Sequence, residues 1–316
     1  MFKQKLKLQT KLNKRALSKR SDITSKQIDT SSTWWIVTRL LLKVFILVFF
    51  GAIILFPFYY MISVSLMSED NFTKPDNVSL APKKFHWGNF VSAFEDGYWK
   101  AVLYSFIVTT ISIILKLVVT LLMGYAFSLK KWWGKRVFWY FFLALMFLPE
   151  VALLSGQYQV TVKLGWDEGM NVIIGLFIPF IASIFSAYLF RNAFEAIPEM
   201  TKKAAMIDNV TGSKYFIKVA IPLITPTIWT AVILTAFAAW NSYMWPALLL
   251  QGEDIQTIPT WVFTTGEVQR GLQTELAYTI RMAGTVLAIV PMFVGFLLMR
   301  GRIMKSISKQ GSAIKG

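Results

Sequence analysis

Long apolar segments alternate with short polar ones along most of the chain. Six apolar runs stand out: Val44–Leu66, Ala101–Leu129, Val137–Leu154, Asn171–Phe190, Leu223–Leu250 and Leu276–Met299. A helix needs about 20 apolar residues to cross the hydrocarbon of a bilayer. Backbone groups inside that layer are satisfied only in helices or closed barrels. The pattern predicts an all-α, polytopic membrane protein with six transmembrane helices. Pro57 and Pro179 fall inside the first and fourth runs, which helices packed in a bundle tolerate.

The polar segments differ in charge. Residues 1–33 carry nine Lys and Arg against Asp22 and Asp29. Lys130, Lys131, Lys135 and Arg136 crowd a turn around Gly134, segment 191–222 is basic, and the tail holds Arg300, Arg302, Lys305, Lys309 and Lys315 without an acid. Segments 68–100, 155–170 and 251–275 are acidic or balanced. By the positive-inside rule this alternation places both termini, the 130–136 turn and segment 191–222 on the cytoplasmic side. The chain divides into a basic arm (1–33), a six-helix membrane domain (34–300) and a basic tail (301–316). The arm reads as a solvated tail that keeps the N-terminus inside, or as a contact with anionic membrane lipid.

One polar stretch has structure of its own. In Ile197–Pro222, Pro198 suits the first turn of a helix, and Glu199 sits near the positive helix end. Ala204, Ala205, Met206 and Ile207 continue the helix. Asp208-Asn209 breaks it, Asn being the best residue after Gly for a left-handed C-terminal cap. Tyr215, Phe216 and Val219 share one face of a second short helix, and Pro222 closes it. The stretch predicts helix, sharp turn, helix, outside the bilayer. Read without further context, it is a docking element or an amphipathic surface hairpin that binds nothing.

Ala204-Ala205, Asp208, Phe216 and Ile221-Pro222 resemble the EAA loop of ABC-importer permeases. The chain departs from that pattern in having Lys203 for Glu, Asn209 for Gly and Val210 for Ala. Lys163-Leu164-Gly165-Trp166 to Asn171 resembles the family's Leu-Gly turn before the fourth span, and Trp240-Asn241-Ser242-Tyr243-Met244-Trp245-Pro246 and Gly311 to Gly316 resemble motifs of the sugar-importing subgroup. The likeness runs from about residue 44 to the end and is nearest to the second permease of maltose-type and glycerol-3-phosphate-type importers. It implies a type I ABC importer permease (MetI-like) fold. It also implies a second permease subunit as heterodimer partner, two ATP-binding subunits and an extracytoplasmic solute-binding protein. The residues it assigns to ATPase coupling are Ala204, Ala205, Asp208, Asn209, Phe216 and Pro222.

Composition narrows the chemistry. The chain is 55% hydrophobic and 16% charged, with mean hydropathy +0.51. It has no cysteine and one histidine, His86, so thiolate and His-based metal or catalytic centres are not expected. The net charge of +16 would suggest nucleic acid in a soluble protein; its distribution over alternate loops explains it instead. Gly134-Lys135 is followed by Arg136 and lacks the upstream glycine of a phosphate-binding loop. We therefore expect no ATPase, no other enzyme and no cofactor. Candidate residues on a solute path are Lys116, Glu150, Asn241 and Arg281. Glu150 and Arg281, at similar depth, read as a pair facing a cavity, or as structural or snorkelling charges. Asn241 reads as a hydrogen-bonding partner of a sugar hydroxyl or of a neighbouring helix. The solute is a sugar, or glycerol-3-phosphate or a related phosphodiester; an ion-coupled carrier is the reading from another class.

Overall fold

A computed structural model describes residues 33–73, 80–270 and 273–313. Most of the basic arm and the last residues of the tail lie outside this set. The chain forms two compact units, divided between Tyr60 and Met61.

The first unit is described from Thr33 as most of helix α1 (Thr33–Ser65). Apolar residues lie on every side of it, as in a helix solvated by lipid. Phe45 and Phe49 stack at 5.9 Å, and the Arg39 guanidinium lies 5.1 Å from the Trp35 ring.

The second unit begins with the last turn of α1 and short α2 (Glu69–Thr73) and α3 (Gly88–Ala93). A wide turn at Phe94–Tyr98, with Gly97 at φ +77°, leads into α4 (Trp99–Ser128). Then come α5 (Lys135–Leu145), α6 (Glu150–Lys163), α7 (Val172–Ile181), α8 (Ile184–Glu195), α9 (Glu199–Ile207) and α10 (Gly212–Tyr215). The chain continues with α11 (Thr225–Trp240), α12 (Met244–Leu249), α13 (Ile258–Thr264), an antiparallel ribbon of β1 (Glu267–Arg270) and β2 (Gln273–Leu276), and α14 (Tyr278–Ala313).

Among the described residues four spans are long and apolar enough to cross a bilayer, or up to six if each of two bent pairs is one span. The bent pairs correct the expected third and fourth spans. The run Val137–Leu154 is not one helix: α5 ends at Leu145 and α6 leaves it at 101°. Pro149 lacks an amide hydrogen and disfavours a helical residue before it, which ends one helix, and Glu150 sits at the positive start of the next. The expected turn 155–170 is accordingly helical as far as Lys163. The run Asn171–Phe190 bends by 48° between α7 and α8, where the Ser183 hydroxyl accepts the Ser186 N–H at 3.2 Å.

Helix α4 is the central post, packed by α7, α8 and α11. Gly124 permits the α4–α8 approach, because a Cβ there would lie 2.6 Å from the Phe190 Cβ. Small residues that let backbones meet are the usual adhesive of membrane helices. Three apolar clusters surround the post. Leu176, Phe180, Trp245 and Leu249 fill one, in which the Trp245 indole donates to the Gly175 carbonyl at 3.0 Å. Tyr98, Trp240 and Trp261 fill a second at the start of α4, while Phe190, Phe194 and Ile224 fill a third towards its end.

Candidate functional site

Helix α9 starts where Pro198 and Glu199 predict. It ends in a double hydrogen-bonded cap: Val210 N–H donates to the Ala205 carbonyl at 2.8 Å and Asn209 N–H to the Met206 carbonyl at 3.1 Å. This is the Schellman arrangement, which requires a left-handed residue after the cap. Asn209 supplies it at φ +54°, the only non-glycine at positive φ among the described residues. The same arrangement ends α6, where Gly165 is left-handed and Trp166 N–H reaches the Thr161 carbonyl at 3.1 Å. The chain then reverses through Thr211 into α10, a wide turn over Phe216–Ala220 and the short turn that holds Pro222.

The two arms form a lever with distinct faces. Ala205 is buried, whereas Ala204, Asp208 and Asn209 are exposed. Tyr215 and Phe216 turn inward. Phe216 lies 4.6 Å from the Tyr125 ring of α4 and 5.9 Å from Phe194 of α8, and those two rings meet at 5.2 Å. This aromatic triad joins the lever to the ends of two membrane helices. The Lys130 ammonium adds an ion pair with Glu199 at 2.8 Å. Its hydrogen bond and charge hold the Glu199 carboxyl below the ordinary carboxylate range. A cavity of about 380 Å³ lies under the lever, bordered by Tyr125, Leu129, Ile197 and Val210.

The outward face of α9 is apolar: Met200, Ala204 and Ile207 share it, with Met200 76% and Ile207 85% exposed, while Met206, 66% exposed, borders the cavity and Ile217, 61% exposed, lies on the second arm. The sequence reading takes Met206 and Ile207 only as helix formers and does not single out Met200 or Ile217. The signal was there: Met206-Ile207 and Ile217 are large apolar residues in a polar, solvent-side stretch. Burying an exposed Ile or Met against a partner is worth about 1.5–3 kcal/mol, so the surface gains by being covered.

The solute-path candidates do not form one constellation. Lys116 is buried on α4, and Glu150 opens the first turn of α6. The expected Glu150–Arg281 pair is not formed. Arg281 donates to the Thr265 carbonyl at 3.2 Å and to the Phe263 carbonyl, and lies 3.7 Å from Glu267. Similar depth is a weak predictor of pairing, because the bend at Pro149 carries Glu150 off the line of α5. Asn241 donates to the Phe237 carbonyl of its own helix at 2.9 Å, closing the end of α11 rather than bridging helices. Trp240 and Trp245 are core residues, whereas Tyr243 remains exposed against Phe263 at 4.3 Å.

Residues 116–308 match the family model described as the binding-protein-dependent transport system inner membrane component. The chain belongs to this family. The permease is 44% identical over 93% of its length, and 94% of the other's, to a probable ABC transporter permease protein of Mycoplasma pneumoniae. It is 26% identical over 86% of its length, and 97% of the other's, to the trehalose/maltose transport system permease protein of Thermococcus litoralis. It is 25% identical over 81% of its length, and 91% of the other's, to the sn-glycerol-3-phosphate transport system permease protein of Escherichia coli. Its fold superposes on a chain of a bacterial ABC transporter involved in import of the acidic polysaccharide alginate. The TM-score is 0.70, with 24% identity, covering 86% of the permease and 98% of that chain. The permease is thus a multi-pass inner membrane component of ABC-importer type.

Proposed function

We propose that the permease is one of two membrane subunits of an importer for a carbohydrate, driven by two separate ATP-binding subunits that dock on the lever. A second permease completes the path, and an extracytoplasmic binding protein delivers the solute. Both termini and α9 face the cytoplasm, in keeping with the basic turn at 130–136 and the basic stretch 191–222. The observation that carries the reading is the exposed apolar face of Met200, Ala204 and Ile207 beside the capped turn at Asp208-Asn209. Coupling requires the ATPase to hold this face differently in its two states. Closing ATPases would then move α9, and the Tyr125–Phe194–Phe216 triad would carry the displacement into α4 and α8. Ala204 and Asp208 lie on the docking face. Ala205, Asn209 and Pro222 fix its shape. The basic arm and tail flank the 34–300 membrane domain.

The test is Ile207→Asp together with Ala204→Asp, at matched expression in the membrane. Uptake of the imported solute should fall at least tenfold, and the ATPase should no longer co-purify. Normal uptake with a bound ATPase would end the reading. A phosphate-bearing solute is a second reading, favoured by the cation Lys116 buried within α4. Competition of labelled maltooligosaccharide and glycerol-3-phosphate for uptake separates the two. If Lys116 and Glu150 line the path, Lys116→Met weakens the phosphate ester's uptake far more than the sugar's.

A further inference from the structure

The turn between α4 and α5 carries a feature that the lever does not use. A cleft of about 680 Å³ opens there, lined by Lys130, Lys131, Lys135, Arg136 and, from α8, Arg191. Three of these cations are committed. Arg191 binds Glu195 at 2.9 Å with its guanidinium 4.3 Å from the Trp139 ring, Lys130 binds Glu199, and the Lys135 ammonium donates to the Leu129 carbonyl at 2.6 Å. Among the described residues, Lys131 and Arg136 have no acidic partner. Helix stability does not account for the cluster either. Lys135 and Arg136 open α5, whose first turn holds no acid, and cations there oppose the helix dipole.

The surroundings say what kind of anion fits. Trp133, at the lip, is 92% exposed. Val137, Tyr140 and Phe141 continue an exposed apolar strip up α5 from the cleft, at positions that share one helix face. Aromatic rings gather where a membrane meets water, and basic pockets between spans receive phosphate headgroups. A soluble anion would need the cations but not the apolar strip above them. A lipid uses both.

We propose that this cleft binds the phosphate headgroup of an anionic phospholipid, with Lys131 and Arg136 as its main ligands and the acyl chains along the Val137–Phe141 face. Lys130 joins the same turn to Glu199 of the lever, so the lipid sits at the base of the moving element.

The test uses the full-length protein, purified in detergent with the subunits that accompany it. Retention of added phosphatidylglycerol is compared with that of phosphatidylcholine by native mass spectrometry. A diazirine-bearing phosphatidylglycerol then maps the contact. Phosphatidylglycerol should be retained over phosphatidylcholine and should label residues 131–141. Lys131→Gln with Arg136→Gln should cost roughly 30-fold in apparent affinity, the expectation for two surface cations. The charge-keeping pair Lys131→Arg with Arg136→Lys should retain the lipid, which guards against misfolding, and Lys163→Gln, on a distant helix end, should leave retention unchanged. Equal retention of the two lipids, an unaffected Gln pair, or labelling elsewhere would overturn the proposal. So would inorganic phosphate occupying the cleft with no preference among lipids, which would make it a free-anion site.

Discussion

The two ends of α4 are held by different physics. At its start the bonds are directional and most are at least partly buried. Glu69 accepts Tyr278 N–H and Thr279 N–H at 3.2 Å each and the Thr279 hydroxyl at 2.7 Å, which ties α2 to the first turn of α14. The Trp261 indole donates to the Asp96 carbonyl, and the Ser105 hydroxyl accepts Ile258 N–H at 2.7 Å. At its other end the lever rests on three rings packed edge-on or tilted and one exposed ion pair. Rings can slide and re-tilt at little cost, whereas a buried donor deprived of its acceptor costs about 1–3 kcal/mol. The first end is a clasp and the second a pivot, as expected if force enters at α9 and the far end must keep its shape.

The largest expected effect comes from the face of the pivot. Ile207→Asp should reduce uptake at least tenfold while thermal stability of the permease stays unchanged, because Ile207 is exposed within the permease itself. Next is the transmission itself. Phe216→Ala should leave ATP hydrolysis in the assembled transporter largely intact but lower uptake several-fold, an uncoupling read as the ratio of the two rates. A parallel fall in both would show that Phe216 only supports docking. The clasp gives the reverse pattern. Glu69→Ala removes a charge-assisted cap and should destabilise the fold by about 2 kcal/mol, measured as a lower unfolding midpoint, with coupling in the surviving molecules unchanged.

Smaller still is the turn. Asn209→Ala should cost about 1 kcal/mol for a left-handed residue with a Cβ, and Asn209→Gly should cost nothing; equal effects would show that the amide side chain matters more than backbone conformation. The smallest effect belongs to Glu199. Its carboxyl is held below the ordinary 4.5 by the hydrogen bond and charge of Lys130. Its contribution is therefore fully present above that value and is lost as pH falls through the lowered one. Glu199→Gln should make no difference to the pH dependence of stability between pH 6 and 8, and should flatten it only under acid conditions.

Much of this was legible in the residues. Pro198 and Asn209 state the start and turn of the lever, because each acts through local backbone geometry, whereas Pro222 does not close the second arm: it sits in the first turn of Ile221–Leu223, and the helical backbone breaks only at Ile224. The six apolar runs give the number of crossings. The bends were harder, since a run such as Val137–Leu154 is apolar whether straight or broken. Even so, Leu148-Pro149-Glu150 and Ser183 are helix-start signals embedded in those runs. Two features could not be read at all: the partnership of Ser105 with Ile258, and of Glu69 with Thr279, each joins residues more than 150 positions apart. Arg281 is a different case: its partners Phe263, Thr265 and Glu267 lie less than 20 positions away, but the turn that brings them back to it is not written in any one residue.

The absence of cysteine from the chain offers a direct test of the central claim. Ile207→Cys places a single thiol on the outward face of α9, and a short bifunctional reagent can then report its neighbour in intact membranes. The account predicts a crosslink to the ATP-binding subunit that changes in yield on adding ATP, with none from Lys163→Cys. A thiol at 207 modified by a membrane-impermeant reagent from outside the cell, with no crosslink to the ATPase, would contradict it.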